Sequence, residues 1–282
     1  MKLLISIVTW NNEKEIDMII DSLVSLECNF EFGVVISDNA STDNTVEIIK
    51  KCYSHTVLLI ENKENVGFGY AHDAVIKRFN ADYYLILNPD CYIEDEKAVQ
   101  KLVDFADKNP KAWAIGPKIL NTDGTIQYSA RTFPKPMAAL FRNTFLGKLF
   151  PDNPYTRDYI RSDADHDKIC EADWVSGAAM LIRKDVVEQI GGFDERYFMY
   201  VEDMDLCREI HIKNKKVMYY PEAVFYHKIG ASSDKAVTKM IKEHHKSMYL
   251  YYQKFAHPVA GKILGPFVYI LIWIRMQFML LR

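Results

Sequence analysis

Across the first hundred residues, short apolar runs alternate with stretches of helical spacing. Leu3–Val8, Phe32–Ser37, Val57–Ile60 and Tyr83–Leu87 are strand-length runs with few polar breaks, the pattern of strands covered on both faces. Between them, Glu15–Leu26 carries apolar residues at Ile16, Ile19, Ile20, Leu23 and Val24, Asp43–Cys52 follows the capping cluster Ser41-Thr42-Asp43, and Gly69–Phe79 is again helical. This alternation predicts βαβ units with right-handed crossovers, which bring the strand C-termini to one edge. The fold class expected is α/β, with a Rossmann-like, mostly parallel central sheet flanked by helices.

Past Asn109 the rhythm breaks. Trp113–Ile119 reads as a strand, Asp123-Gly124 as a hairpin turn before Ile126–Tyr128, and Trp174–Ile182 as a further strand. The interval 131–168 carries four prolines and little regular pattern, so a long functional loop or partly mobile lid is expected there. Lys184–Ile190 is a short helix closed by Gly191-Gly192, Glu202–Lys213 another helix, Val217–Tyr220 a strand, and Lys235–Phe255 a long basic helix. The tail Ile263–Leu281 is strongly apolar but broken by Gly265, Pro266, Arg275 and Gln277, and its longest unbroken apolar run is Phe267–Ile274. A span needs ~20 apolar residues, so the tail is expected to lie in the membrane interface between Lys262 and Arg282. Core packing and a homodimer interface remain open.

Charge changes this picture at one end. From Cys207 onward there are thirteen Lys and Arg against four Asp and Glu, while the whole chain has a net charge of −3. A basic C-terminal third fits an anionic membrane surface or a phosphate-bearing ligand as well as a solvated helical face. No nucleic-acid partner is expected. The five cysteines form no CxxC pair and are odd in number, which argues against a disulfide framework or zinc site and for a reducing, cytoplasmic setting. The apolar start at Met1–Val8 is too short for a signal peptide and reads as a first buried strand.

Each early strand ends in polar residues: Thr9-Trp10-Asn11-Asn12, Asp38-Asn39-Ala40-Ser41, Asn65-Val66-Gly67-Phe68-Gly69, and Asn88-Pro89-Asp90. Any one of these is an ordinary cap or turn, but four on one sheet edge make a candidate ligand site. Asp38 could accept the imide N–H of a pyrimidine base, and the glycines allow close backbone approach. Asp90 beside a diphosphate would need a hard cation, Mg²⁺ or Mn²⁺. A second cluster comprises Trp174-Val175-Ser176-Gly177 and Glu202-Asp203-Met204-Asp205. Acids at a helix N-terminus are favoured electrostatically, which alone could explain Asp205. Asp203 follows an aromatic-rich run and is the candidate general base. His227, just after a strand, could be a metal ligand, a phosphate contact or a structural histidine.

Taken together, these motifs and Gly191-Gly192-Phe193-Asp194-Glu195 resemble family 2 glycosyltransferases of the GT-A fold, and within them the branch similar to bacterial rhamnosyltransferases, from about residue 3 to 232. The resemblance implies an inverting, metal-dependent transfer. Thr9, Asn11, Asp38, Asn65, Gly67, Asn88 and Asp90 would bind the nucleotide-sugar, Trp174, Ser176, Gly177 and Glu202 would line the sugar or acceptor pocket, and Asp203 would be the base. Asp90 corresponds to the last acid of the DxD metal motif, with His227 a further metal ligand in some relatives. Asn88 replaces the first Asp, a form that this branch shares. The implied domains are a GT-A domain over 1–232, with a nucleotide-sugar half at about 1–110 and an acceptor half at about 111–232, and a helical extension over 233–282. The donor implied is dTDP-L-rhamnose, with UDP-hexose or UDP-HexNAc as competitor. The acceptor would be a lipid-linked saccharide at the inner face of the cell membrane. A nucleotidyltransferase would need a Gly-rich basic loop after strand one, where Thr9–Glu13 stands instead. A non-catalytic nucleotide-sugar-binding subunit would not need both Asp90 and Asp203.

Overall fold

The computed structural model describes residues 1–142, 144–228 and 237–280. The expected boundary at 232, the motif residues 229–232, the start of the basic helix at 235 and Leu281 lie outside the described residues. In chain order the elements are β1 (Leu3–Thr9), α1 (Ile16–Val24), β2 (Phe32–Asp38), α2 (Thr45–Cys52), β3 (Leu58–Glu61), α3 (Phe68–Ile76), β4 (Tyr83–Leu87), β5 (Cys91–Tyr92), α4 (Ala98–Lys108), β6 (Ala112–Leu120), β7 (Ile126–Gln127), β8 (Ala130–Arg131), α5 (Pro136–Phe141), α6 (Phe145–Leu149), α7 (Pro154–Ile160), β9 (Cys170–Ala172), β10 (Trp174–Val175), β11 (Ala179–Arg183), α8 (Lys184–Ile190), α9 (Glu202–Ile212), β12 (Lys216–His227), α10 (Val237–Phe255) and α11 (Pro258–Leu280).

The central sheet has the order β3-β2-β1-β4-β11-β6-β12-β5. Its first four strands are parallel, as their βαβ spacing requires. β11 then enters antiparallel between β4 and β6, while β6 and β12 run with the first four, so the sheet is mostly parallel with an antiparallel strand inside it. Along β1 the faces alternate: Leu3, Ile5 and Ile7 pack under α1 and α4, while Leu4 joins Val35 and Ile86 on the other side. Both faces are therefore dry, which is why the run lacks polar interruptions. α1 buries Ile16, Ile19, Ile20 and Leu23, each side chain contributing about 1.5–3 kcal/mol of transfer free energy, while Val24 points to solvent.

Four segments depart from the sequence-based expectation. α4 was not anticipated, although Ala98, Val99, Leu102, Val103 and Ala106 form one helical stripe against the sheet. The 131–168 segment folds into β8 and three short helices. Pro136 and Pro154 stand in the first turns of α5 and α7, where a missing N–H costs nothing, and Asn153 caps α7 through the Thr156 N–H. The expected strand Trp174–Ile182 is two: β10 pairs with β8 in a separate ribbon, β11 with β4, and the chain turns at Ser176–Ala178. β12 in turn outruns its expected end at Tyr220. A register shift between Tyr220 and Val224 absorbs Pro221, and the strand continues to His227.

The C-terminal helices lie against the catalytic side of the domain. α11 is long and apolar enough to cross a membrane, and only 6% of its Gly261–Leu280 window is buried, so it is not a core helix. Pro266 interrupts the apolar run but not the helix, which continues through it. α10 is fastened to α9 by Lys254, whose Nζ lies 2.7 Å from Asp205, 3.0 Å from Glu209 and 3.1 Å from Asp194. The Tyr197 hydroxyl donates to the other Asp205 oxygen at 2.9 Å. Asp205 is therefore a structural carboxylate. Lys254→Met would leave it buried without its cation, at a cost of about 2–4 kcal/mol. A fall in Tm of several degrees is expected in calorimetry. A change within one degree would show that the clamp carries no weight.

Candidate active site

The C-terminal ends of β1 and β2 are in register, Thr9 opposite Asp38, and the two side chains meet: Thr9 Oγ1 donates to Asp38 Oδ1 at 2.8 Å. Asp38 is buried and also accepts from the Ser41 N–H at 2.8 Å and the Ser41 hydroxyl. Asn11, at φ 59°, accepts the Thr42 N–H at 2.7 Å through Oδ1 and donates its own N–H to Ser41 Oγ. The carboxylate thus organises the loop that forms this edge. Asn65 closes the neighbouring turn by accepting the Gly67 N–H at 3.1 Å, and Asn39 donates to the Gly67 carbonyl. Gly67 takes φ 91°, and a Cβ there would collide with the Phe198 carbonyl oxygen. That close approach lets Phe68 N–H donate to the same oxygen at 2.9 Å, tying the edge to the loop before α9.

At the end of β4, β5 pairs antiparallel with the last residues of β12, His227 opposite Cys91. This pairing is what brings His227, 137 positions later in the chain, to Asp90. His227 Nε2 lies 3.1 Å from Asp90 Oδ1, yet that buried oxygen makes no hydrogen bond. Gln127 Oε1 lies 2.9 Å from His227 Nδ1, which assigns the proton to Nδ1 and leaves the Nε2 lone pair facing Asp90. A lone pair and an orphaned carboxylate oxygen facing each other are the donor set a divalent cation takes. Cys91 is the third potential ligand within 4.8 Å. Its thiol donates to the Ala178 carbonyl at 3.2 Å, and burial beside Asp90 pushes its pKa well up, so it stays neutral. Asn88 holds its backbone N–H on the Ala178 carbonyl and its amide 3.3 Å from His227 Nε2.

Asp203 opens α9 after two left-handed residues, Tyr200 at φ 66° and Val201 at φ 74°. A β-branched residue rarely adopts that conformation, and such strain concentrates at working sites. The half-buried carboxylate accepts the Gly177 N–H at 2.9 Å through Oδ2 and the Met204 N–H at 2.8 Å through Oδ1. Desolvation raises its pKa, while these donors and the Arg131 charge oppose the rise. Glu202 is buried, has an oxygen with no partner, and is pushed well above the usual range by desolvation and then by Asp203. Neighbouring acids with such unequal surroundings separate their titrations. Burial pushes both carboxyls up, Glu202 further, and only Asp203 is offset by backbone donors and a nearby guanidinium.

One cavity of about 590 Å³ joins these groups. Asn88, Trp174, Ser176, Gly177, Glu202, Asp203 and His227 all line it, with Phe68. Trp174 is oriented by donating its indole N–H to the Thr132 carbonyl at 2.9 Å, and Ser176 Oγ accepts from the Ala178 N–H. Thr9, Asn11, Asp38, Asn65 and Gly67 are not in its wall and form the adjoining strand-end edge, while buried Asp90 stands behind Asn88 and His227. Gln127, Arg131, Arg142 and Arg275 were not anticipated. Gln127 matters only because β7, paired with the end of β6, sets its side chain on His227; Arg131 and Arg142 stood in a segment without a legible pattern, and Arg275 read only as an interruption of the apolar tail.

The model of glycosyl transferase family 2 matches residues 4–191. An N-acetylglucosaminyl-diphospho-decaprenol L-rhamnosyltransferase of Mycobacterium tuberculosis is 31% identical over 255 residues, covering 86% of this chain and 81% of its own. The rhamnosyltransferase WbbL of Escherichia coli is 26% identical, covering 66% and 69%. Among solved structures, a Pyrobaculum calidifontis mannosyltransferase in complex with GDP-Man and Mn²⁺ superposes with a TM-score of 0.60 at 14% identity, covering 96% of this chain and 72% of that one. The GT-A fold and the carboxylate-bearing cavity agree with these matches: the chain belongs to glycosyl transferase family 2 and is a glycosyltransferase.

Proposed function

We propose that this enzyme transfers L-rhamnose from dTDP-rhamnose, with inversion, to a hydroxyl of a lipid-linked saccharide at the cytoplasmic face of the cell membrane. The observation that carries the proposal is the Asp203 carboxylate, raised in pKa yet held ionisable by two backbone N–H groups, in a cavity shared with Asn88 and His227. The choice of rhamnose is supported by the two rhamnosyltransferase relatives, and that of a lipid-linked acceptor by the decaprenol-linked substrate in the name of the mycobacterial one.

In this reading the donor nucleotide lies along the edge made by Thr9, Asn11, Asp38, Asn65 and Gly67, with Asp38 holding the loop in shape. Its diphosphate approaches Asn88, Asp90 and His227. Mn²⁺ or Mg²⁺ held by Asp90 and His227 would neutralise the charge that develops on the leaving diphosphate. Trp174, Ser176 and Gly177 shape the wall against which the sugars stack and hydrogen-bond. Asp203 takes the proton of the acceptor hydroxyl as that oxygen bonds to the anomeric carbon, the bond to the diphosphate oxygen breaks, and the nucleoside diphosphate leaves with the electron pair. Protonated Glu202 beside it avoids a second negative charge. α11, apolar and exposed, attaches the enzyme to the bilayer that carries the acceptor.

Asp203→Asn should lower kcat about 10²–10⁴-fold, the usual weight of a general base, with donor affinity within twofold. Unchanged turnover would remove Asp203 from the mechanism. Burial raises the Asp203 pKa, so the active ionised form is lost as pH falls through that raised value. The acid limb of kcat/KM is therefore expected above the ordinary aspartate value of about 3.9. It should persist in Glu202→Gln and vanish from the residual rate of Asp203→Asn. A limb that disappeared with Glu202→Gln would transfer the role to Glu202. Chelation should abolish transfer, and titrating Mn²⁺ back should restore it. Gln127→Leu should require about 10–100-fold more metal for half-activity, as loss of a ligand's hydrogen-bond partner does. Full activity after exhaustive chelation would refute the metal assignment.

A further inference from the structure

The cavity does not end at Asp203. It continues between α5, α10 and α11, where Arg131, Arg142 and Arg275 line it and none has a carboxylate within ion-pair distance among the described residues. Each guanidinium is held in place by something other than an acid. Arg131 donates Nε–H to the Tyr128 carbonyl at 2.6 Å and stacks over Trp174 at 4.9 Å. Arg142 lies over Tyr159 at 4.8 Å. Arg275 donates from Nη1 to His245 Nε2 at 2.7 Å and from Nη2 to the Arg142 carbonyl at 3.4 Å, while its buried Nε–H has no partner. The histidines beside it add no further positive charge: burial pushes His244 down to about 3 and lowers His245, so both are neutral.

Three like charges that feel one another, partly buried and without an anion, are costly unless a ligand neutralises them. Guanidinium forks match phosphate oxygens in geometry and charge. Beyond the arginines the wall turns apolar, with Met240, Ile241, Met248 and Met279, and α11 leads outward through exposed Phe278, Trp273 and Ile270. Flexible methionines suit an irregular aliphatic chain. An ionisable residue on an otherwise apolar helix, turned inward onto α10, marks a working site rather than a flaw in the helix.

We infer that Arg131, Arg142 and Arg275 bind the diphosphate of the lipid-linked acceptor, with the methionine-lined wall taking the first isoprenoid units and the sugar lying towards Asp203. The inference rests on the reading above that the acceptor is lipid-linked. It gives the two diphosphates of the reaction separate places: the donor's at Asn88, Asp90 and His227, the acceptor's at the arginines.

Binding to the full chain in detergent micelles, followed by thermal shift, tests the site without turnover. Farnesyl diphosphate should stabilise the protein more than inorganic diphosphate and far more than farnesol, and Arg142→Gln and Arg275→Gln should each weaken its binding at least tenfold. Arg142→Gln keeps the backbone carbonyl that Arg275 uses, so it reports on charge without removing that contact. In kinetics, the same substitutions should raise KM for an N-acetylglucosaminyl-diphospho-prenyl acceptor at least tenfold with donor KM within twofold, and the effect should shrink to under threefold on a phosphate-free alkyl glycoside. Equal losses on both acceptors, or a raised donor KM, would overturn the inference. So would farnesyl diphosphate binding that ignores the substitutions while binding to phosphatidylglycerol vesicles falls with them, which would assign the arginines to bilayer headgroups. If arginine-dependent farnesyl diphosphate binding holds but the wild type glycosylates no lipid-linked sugar, the anion site stands and the proposed reaction fails.

Discussion

The turn at Ser176–Ala178 fastens the two working ends of the molecule to each other. Because β11 runs antiparallel beside β4, Ala178 stands at the strand end where the donor-side residues begin. Its carbonyl accepts both the Asn88 N–H at 2.9 Å and the Cys91 thiol at 3.2 Å. One residue earlier, the Gly177 N–H reaches Asp203. Two consecutive residues therefore set the relation between the end of β4 and the Asp203 carboxylate. A Cβ at 177 would press on the Asp203 Cβ and the Phe68 ring at 3.4 Å, so glycine keeps that spacing short.

Around this turn, charge is sorted by surroundings rather than by residue type. Five acids lie within the short span from Asp194 to Asp205, and their surroundings differ; Glu195 is exposed beside Lys77. Asp205 faces Lys254 and Tyr197 and holds helices together. Asp194 is kept well below the usual carboxylate range by the Arg196 side chain, with Lys254 adding to it. Asp203 faces backbone N–H groups and an open cavity, and Glu202 faces almost nothing. Asp203 is thus the carboxylate of this group that lines the cavity and is anchored by backbone donors. The lysine clamp also links this region to α10, which packs against α11.

Legibility in the sequence followed the range of the interactions involved. The parallel half was readable because each strand is dry on both faces and each crossover helix has a single buried stripe, which are local properties of runs such as Leu3–Val8. Pairing of Thr9 with Asp38 followed from two such strands lying in register. α4 was missed although its stripe is as regular as that of α1. The helices of the 131–168 interval were missed for a different reason. Prolines read as breaks are equally the first residues of helices, and only Asn153 and the left-handed Arg161 mark where α7 begins and ends.

The sequence by itself determined the family and the parallel core and singled out Asp90 and Asp203 as candidates, because motif residues at strand and helix ends carry their position with them. Tertiary structure alone decided three things. It turned Arg275 from an interruption in an apolar tail into a cavity-lining cation. It made α11 one long exposed helix rather than a core element. It placed Gln127 on His227 so that one lone pair faces Asp90. Each depends on contacts between residues about thirty to 140 positions apart, and no local pattern of polarity encodes which distant surface a side chain will meet.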